Sequence, residues 1–299
     1  MRIPLWIFTN WMNVFDSISA RAQSDPPPGA HRLRIAGHDC GWVAQDALRW
    51  LAPFKDEVSI GTGMVRMLPA LESAPPSDDR RTAVSELLSR IAQALFEAGR
   101  LNGWRNELLD VVAEDGVVLG VIERAAVRPL GIATHAVHLN AWTDSGQLWI
   151  AQRSFTKTTD PGMWDTLVGG LISAAETPET ALLRESWEEA GLLPHHLKDA
   201  RRSGTFQVRR ILPEGYQIEN VTVVDTVLGP EVVPENQDGE VAALRTATPQ
   251  EVIDMVAEGL FTLEAALAMK TSLGPLALAA SGAVPAEAAV VDETARVSL

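Results

Sequence analysis

Three glutamates, Glu185, Glu188 and Glu189, lie within five consecutive positions, between Gly169-Gly170 and Gly191. Carboxylates so spaced offer several oxygen donors to one small volume, which suits a hard divalent cation such as Mg²⁺ or Mn²⁺. Such an ion can neutralise phosphate oxygens and lower the pKa of an attacking water. For stability alone the spacing is a poor choice. Glu185 precedes the other two by three and four residues, and each like-charge pair at that distance costs a helix about 0.2–0.5 kcal/mol. The cluster also lies towards a helix C-terminus, where the dipole disfavours anions. A solvated acidic helix face is the alternative reading of any such run. The surroundings favour chemistry: Gly169 and Gly170 let backbone approach a ligand closely, Glu176 sits on the connecting loop, and Arg184 directly precedes the first carboxylate.

The element that must position these groups is a helix over residues 178–190. Thr177 is a good N-cap, Pro178 occupies the first helical position where its missing N–H costs nothing, and Gly191 can adopt the left-handed conformation that ends a helix. At 100° per residue Leu183, Trp187 and Ala190 share the face opposite the glutamates and are expected to anchor the helix.

From Gly170 onwards the residues read Gly-x5-Glu-x7-Arg-Glu-U-x-Glu-Glu-x-Gly-U, with U aliphatic. On those residues the chain resembles the Nudix hydrolases. Ser186 departs from the pattern at the first U position, and Ala175 stands where glycine is commoner before the glutamate. The resemblance implies an α/β fold, a Nudix α/β/α sandwich with a mixed sheet, and Mg²⁺ (or Mn²⁺) as cofactor. It implies Glu185, Glu188 and Glu189 as metal ligands, with the Gly169 carbonyl as a further one. Arg184 is expected to reach back to Glu176 and fix the loop against the helix. The general base is expected to be Glu188 or Glu189, with Glu235 and Glu240 on a downstream loop as the other acids considered. Arg153 and Lys157 lead directly towards the glycine pair and are expected to contact phosphate. Trp164 and Phe155 are candidates for stacking on an aromatic ring, core packing being the alternative for Trp164.

A second resemblance is carried by Gly103-Trp104-Arg105-Asn106-Glu107 and Glu123-Arg124-Ala125-Ala126. These segments are similar to the module of unassigned role that precedes the Nudix domain in a subgroup related to fungal thiamine pyrophosphokinase. That subgroup implies hydrolysis of thiamine diphosphate or its oxidised analogues to the monophosphate and phosphate. Trp104 and Arg105 are read as domain-interface residues or as substrate contacts. ADP-ribose or another nucleoside diphosphate is the alternative substrate, and a Nudix-like ligand sensor the alternative without catalysis. Isopentenyl diphosphate isomerase is related in pattern around Arg153, Lys157 and Trp164. It needs a cysteine beside the metal site, where this chain has Thr166-Leu167-Val168.

The 299 residues are 46% apolar, enough for a sizeable core, and carry a formal net charge of -14, which argues against nucleic acid or an anionic membrane as partner. The one cysteine, Cys40, excludes an intramolecular disulfide and is expected to be structural, with the cytoplasm as compartment. The expected organisation is a poorly ordered leader (1–29), a smaller α+β N-terminal module (30–125), the Nudix domain (126–275) and a flexible tail (276–299), in a monomer or homodimer. Within the module, residues 58–67 alternate as one strand, 83–98 carry apolar residues at helical spacing, and 110–122 form a hairpin about Asp115-Gly116.

Overall fold

The computed structural model describes the backbone of residues 5–281 and the side chains of residues 13–274. Helix α1 (Leu5–Arg21) leads into four strands, β1 (His31–Ile35), β2 (His38–Val43), β3 (Val58–Gly61) and β4 (Met64–Met67), with the one-turn α2 (Leu48–Leu51) between β2 and β3. They form a sheet in the order β2-β1-β4-β3. Residues 58–67 are thus two strands rather than one, because Gly63 takes φ +70° and reverses the chain.

Helix α3 (Asp78–Glu97) starts where the Ser77 hydroxyl accepts the Arg80 N–H at 3.2 Å. Its Val84, Leu87, Leu88, Ile91 and Leu95, spaced three and four apart, are all buried. They pack beneath the hairpin β5 (Leu108–Val112) and β6 (Val118–Glu123). The short α4 (Val127–Leu130) then carries the chain into the second layer system.

That system contains β7 (Ala133–Thr143), β8 (Leu148–Arg153), β9 (Trp164–Thr166), β10 (Val168–Leu171), α5 (Pro178–Ala190), β11 (Arg201–Leu212), β12 (Gly215–Leu228), β13 (Val241–Ala247), α6 (Pro249–Ala257) and α7 (Leu263–Ser281). The sheet order is β11-β12-β7-β8-β13, with β10 also on β7 and β9 also on β8. β7 and β12 run parallel and the other pairs antiparallel, so the sheet is mixed. Helix α5 covers one face, burying Ala181, Leu182 and Ala190 against Val137, Leu139, Val168 and Val224. Helices α6 and α7 cover the other, with Val252, Val256 and Met269 against Leu148, Ile150 and Val208. This is the expected α/β/α sandwich behind a smaller mixed module. Among the described residues no helix is long and apolar enough to cross a membrane.

Four particulars differ from the sequence reading. Residues 5–21 of the expected leader are helical, and Phe15 and Ile18 are buried in the core shared with α6 and α7. Asn13 and Asp16 are exposed, as in a helix with only one face covered. Helix α7 runs through the start of the expected tail to Ser281; residues 282–299 lie outside those described. On α5 the buried residues are Ala181, Leu182, Ser186, Glu189 and Ala190, while Trp187 is 49% exposed. Leu182 and Leu183 are adjacent, and the helix turns Leu182 fully inward. Last, residues 164–168 switch partners at Leu167: β9 pairs with β8 and β10 with β7. That switch sets Gly169 opposite His138 and Gly170 opposite Val137.

The two units meet closely. The Trp42 N–H donates to the Gly131 carbonyl at 3.3 Å. Gly131 has φ +56°, and a Cβ there would overlap the Trp42 carbonyl, so both conformation and space require glycine.

Candidate active site

Helix α5 begins as its sequence dictates. The Thr177 hydroxyl accepts the Thr180 N–H at 3.2 Å, the Thr180 hydroxyl accepts the Thr177 N–H at 2.9 Å, and Gly191 closes the helix at φ +63°. Arg184 then grips the preceding loop as a fork. Its Nε and Nη2 donate to the two Glu176 oxygens at 2.7 and 2.8 Å, and Nη2 also donates to the Leu171 carbonyl at 3.1 Å. Its Nη1 reaches Glu185 at 2.6 Å and Glu188 at 3.2 Å. The Arg184 fork holds the Glu176 carboxyl below its usual range, and Glu176 in turn accepts the Ser173 N–H at 2.9 Å.

Burial pushes the Glu185 carboxyl up to about 7, against the opposing pull of Arg184. Burial likewise raises Glu189 to about 8, although Lys157 and the Gly169 N–H favour its charged form. Lys157 Nζ lies 3.3 Å from Glu189 and 2.6 Å from Glu240. The Gly169 N–H donates to Glu189 at 2.9 Å. At Gly170 a Cβ would overlap the Glu185 carboxyl carbon. The close approach this glycine permits is therefore to the protein's own carboxylate.

Beside the glycine pair opens a cavity of about 690 Å³. Arg153, Lys157, Gly169, Gly170 and Glu240 line it, and Arg105 and Arg124 of the N-terminal module complete that end. Thr134, Gln217, Glu219 and Glu264 line the cavity too, together with Arg128 and Arg210, and Arg210 lies 3.3 Å from Glu264. Burial, with the Glu264 charge adding to it, pushes the Glu219 carboxyl up. Gln217 donates to Glu264 at 3.0 Å and Thr134 to Glu219 at 3.1 Å.

Not all the expected residues gather here. Trp164 packs, partly buried, against the core beside α6 and α7, its ring beneath the Arg245 guanidinium at 4.8 Å, because β9 places it against Phe261. Phe155 is 71% exposed and covers Gly162. Neither lines the cavity. Glu235 is exposed, its N–H capping the Ala190 carbonyl at 3.0 Å, which makes it a loop anchor beyond α5. Arg153 is held to Asp165 at 3.2 Å and to the Thr159 carbonyl at 3.0 Å.

Other residues emerge only in three dimensions. Glu107 takes the Ser173 hydroxyl at 3.1 Å and Arg124 at 2.6 Å; Asp110 accepts the Ala175 N–H at 3.0 Å. The segments around Glu107 and Arg124 were the signal for two of them. For Asp110 no local pattern exists.

Comparison with known proteins gives the context for this arrangement. Residues 133–267 match the NUDIX domain, and residues 13–134 match a domain of unknown function, DUF4743. An isopentenyl-diphosphate Delta-isomerase of Streptomyces coelicolor is 30% identical over 162 residues, which cover 52% of this chain and 78% of that protein. The chain belongs to the Nudix family. Nudix hydrolase 20, chloroplastic, of Arabidopsis thaliana is 31% identical over 188 residues, covering 62% of this chain and 49% of that one. A crystal structure of DR0079 from Deinococcus radiodurans shares 26% identity with a TM-score of 0.43, over 55% of this chain and 99% of that one. The chain spans from about half to three fifths of the length of the first curated relatives, 49%, 60% and 60%.

Nudix hydrolases depend in general on a divalent metal. In this Nudix domain the donor chemistry fits one: Glu185 and Glu189 are hard oxygen donors whose buried charge is incompletely compensated, as their raised carboxyls show. Glu185 and Glu188 meet on the Arg184 Nη1, while Glu189 faces Lys157. Among the described residues no three His, Cys, Asp or Glu side chains form a ready cage. Each carboxylate takes its nearest cation instead, Glu185 and Glu188 on Arg184 and Glu189 on Lys157. Cys40 is buried in the core of the N-terminal module, where burial pushes its thiol far up.

Proposed function

We propose that the chain hydrolyses the diphosphate bond of an organic diphosphate, with thiamine diphosphate or an oxidised analogue as substrate and the monophosphate plus phosphate as products. The observation that carries the diphosphate reading is the 690 Å³ cavity beside the glycine pair, lined by several basic side chains. Lys157, Arg153, Arg105 and Arg124 line the end beside the glycine pair and suit a diphosphate. Gln217, Glu219 and Glu264 also line the cavity, beside Arg128 and Arg210, with Arg210 3.3 Å from Glu264, so that this part offers both acceptors and donors to a polar organic group. Within that class, the choice of thiamine diphosphate is carried by the resemblance of the N-terminal module to the thiamine-pyrophosphokinase-related subgroup. The isomerase relative is named for another organic diphosphate, which supports the class but not the reaction.

When bound, Mg²⁺ or Mn²⁺ would neutralise phosphate oxygens and lower the pKa of a water. Glu185, Glu188 and Glu189 are the residues to hold it. The Gly169 carbonyl is the further ligand by family resemblance. Lys157 and Arg153 orient the diphosphate, and the Arg184–Glu176 fork keeps the carboxylates in place. Glu188 or Glu189 is the first candidate to take a proton from water, and Glu240 the second.

The test is a screen of the purified chain with Mg²⁺ or Mn²⁺ against thiamine diphosphate, its oxo analogue, ADP-ribose, NADH and isopentenyl diphosphate. Phosphate from the thiamine compounds is the expected result. Mononucleotide from ADP-ribose alone would assign the nucleoside reading, and isomerisation of isopentenyl diphosphate would overturn hydrolysis.

A further inference from the structure

The loop between β10 and α5 holds its shape against its own backbone preference. Ala175 sits at φ +65°, a left-handed conformation that residues with a Cβ rarely adopt. Three contacts from β5 and the residue before it hold that loop. The Leu108 carbonyl accepts the Ala174 N–H at 2.8 Å, Asp110 Oδ2 accepts the Ala175 N–H at 3.0 Å, and Glu107 accepts the Ser173 hydroxyl at 3.1 Å. The other Asp110 oxygen is buried without a hydrogen-bond partner, so this carboxylate is committed to the loop at some cost. Next along the chain, Glu176 accepts both arms of Arg184, whose remaining nitrogen reaches Glu185 and Glu188. Because the Ser173 N–H also donates to Glu176, a series of hydrogen bonds runs from Glu107 through Ser173, Glu176 and Arg184 to the carboxylates of α5, with Asp110 fixing the turn between Ser173 and Glu176.

We propose that Asp110 is a positioning residue for the active site: by holding Ala175 left-handed it seats Glu176 on Arg184 and so sets the Glu185 and Glu188 carboxylates. The N-terminal module is then half of the catalytic apparatus, supplying the splint as well as Arg105 and Arg124 of the cavity. This inference rests on the diphosphate-hydrolase reading for its kinetic consequences, but not for its structural ones.

Glycine visits the left-handed region about as readily as the right-handed one, which gives the proposal a test by rescue. In Asp110→Ala, amide exchange across residues 173–176 is expected to rise about tenfold, the loss of one hydrogen bond to a charged acceptor. Mn²⁺ affinity, read by electron paramagnetic resonance, is expected to fall by a similar factor, with kcat lowered and KM unchanged. Ala175→Gly alone is expected to change each value by less than about twofold, since the splint already makes the turn. Added to Asp110→Ala, it is expected to restore exchange, Mn²⁺ binding and kcat to within about threefold of the parent. Asp110→Asn, which keeps shape and one acceptor, covers the case where the alanine variant does not fold, and is expected to show the same effects weakened. Unchanged exchange and Mn²⁺ affinity in both Asp110 variants would overturn the proposal, as would a double variant no better than Asp110→Ala. Should the parent hydrolyse none of the diphosphates, the functional reading fails while the exchange experiment still decides on the splint.

Discussion

Replacing Gly170 by alanine tests the closest contact of the site. The added Cβ would overlap the Glu185 carboxyl carbon, and Glu185 is the end of a flexible side chain, so the clash is relieved by turning the carboxylate away. That movement breaks its 2.6 Å hydrogen bond with Arg184. A hydrogen bond to a charged group contributes about 1.5–3 kcal/mol, and crowding in a packed site costs about 1–3 kcal/mol, of which the rotation recovers part. A net loss of about 2 kcal/mol lowers the midpoint of thermal unfolding by roughly 4–8 °C in a domain of this size. The displaced carboxylate moves by about an ångström or more, and misplacement on that scale lowers turnover on the order of a hundredfold. Calorimetry and phosphate release read the two effects separately. Gly61→Ala, whose Cβ would meet only the Met64 carbonyl at 3.9 Å, is the control and is expected to change neither. Gly170→Ala with both quantities unchanged would refute the contact. A lower midpoint with full turnover would refute a role for Glu185 in the chemistry.

Three further outcomes follow from the same site. Ser186 Oγ is fully buried without a partner, so Ser186→Ala is expected to stabilise by about 1–2 kcal/mol, from relieved desolvation and higher helix propensity, seen as a higher midpoint. Leu182→Ala is expected to cost about 2–5 kcal/mol in denaturant unfolding, whereas Trp187→Gln, on the exposed side of the same helix, stays within about 0.5 kcal/mol. Glu189→Gln is expected to abolish metal-dependent phosphate release while the circular dichroism spectrum is kept; retained turnover in both Glu189→Gln and Glu188→Gln would remove the carboxylates from the mechanism.

Much of this was legible from residues whose effect is local. Thr177, Pro178 and Gly191 delimit α5 through backbone groups within one turn, and Arg184 and Glu176 share a helix and the loop feeding it. What was not legible depended on contacts distant in sequence. The rotation of α5 about its axis turned on whether Leu182 or Leu183 met the sheet, and an angular count ranks faces without naming the one that is covered. Trp164 looked available because it precedes the glycine pair, but β9 leaves the path of β10 and carries it against the core. Asp110 reaches Ala175 across 65 residues, and a single aspartate in a hairpin has no periodicity to announce it. Phe15 and Ile18 were unreadable for the same reason, since the surface that buries them forms at the other end of the chain.

That last packing bears on how the protein is made. Helix α1 leaves the ribosome well before α7, against which it packs and which begins only at Leu263. At about 5–20 residues per second the partner follows roughly 10–50 s later. Throughout that interval the apolar side of α1 has no surface of its own chain to rest on, while the N-terminal module between them can already fold. The sandwich is therefore closed late, by an element synthesised early, and α1 is a nascent segment for a chaperone to shield.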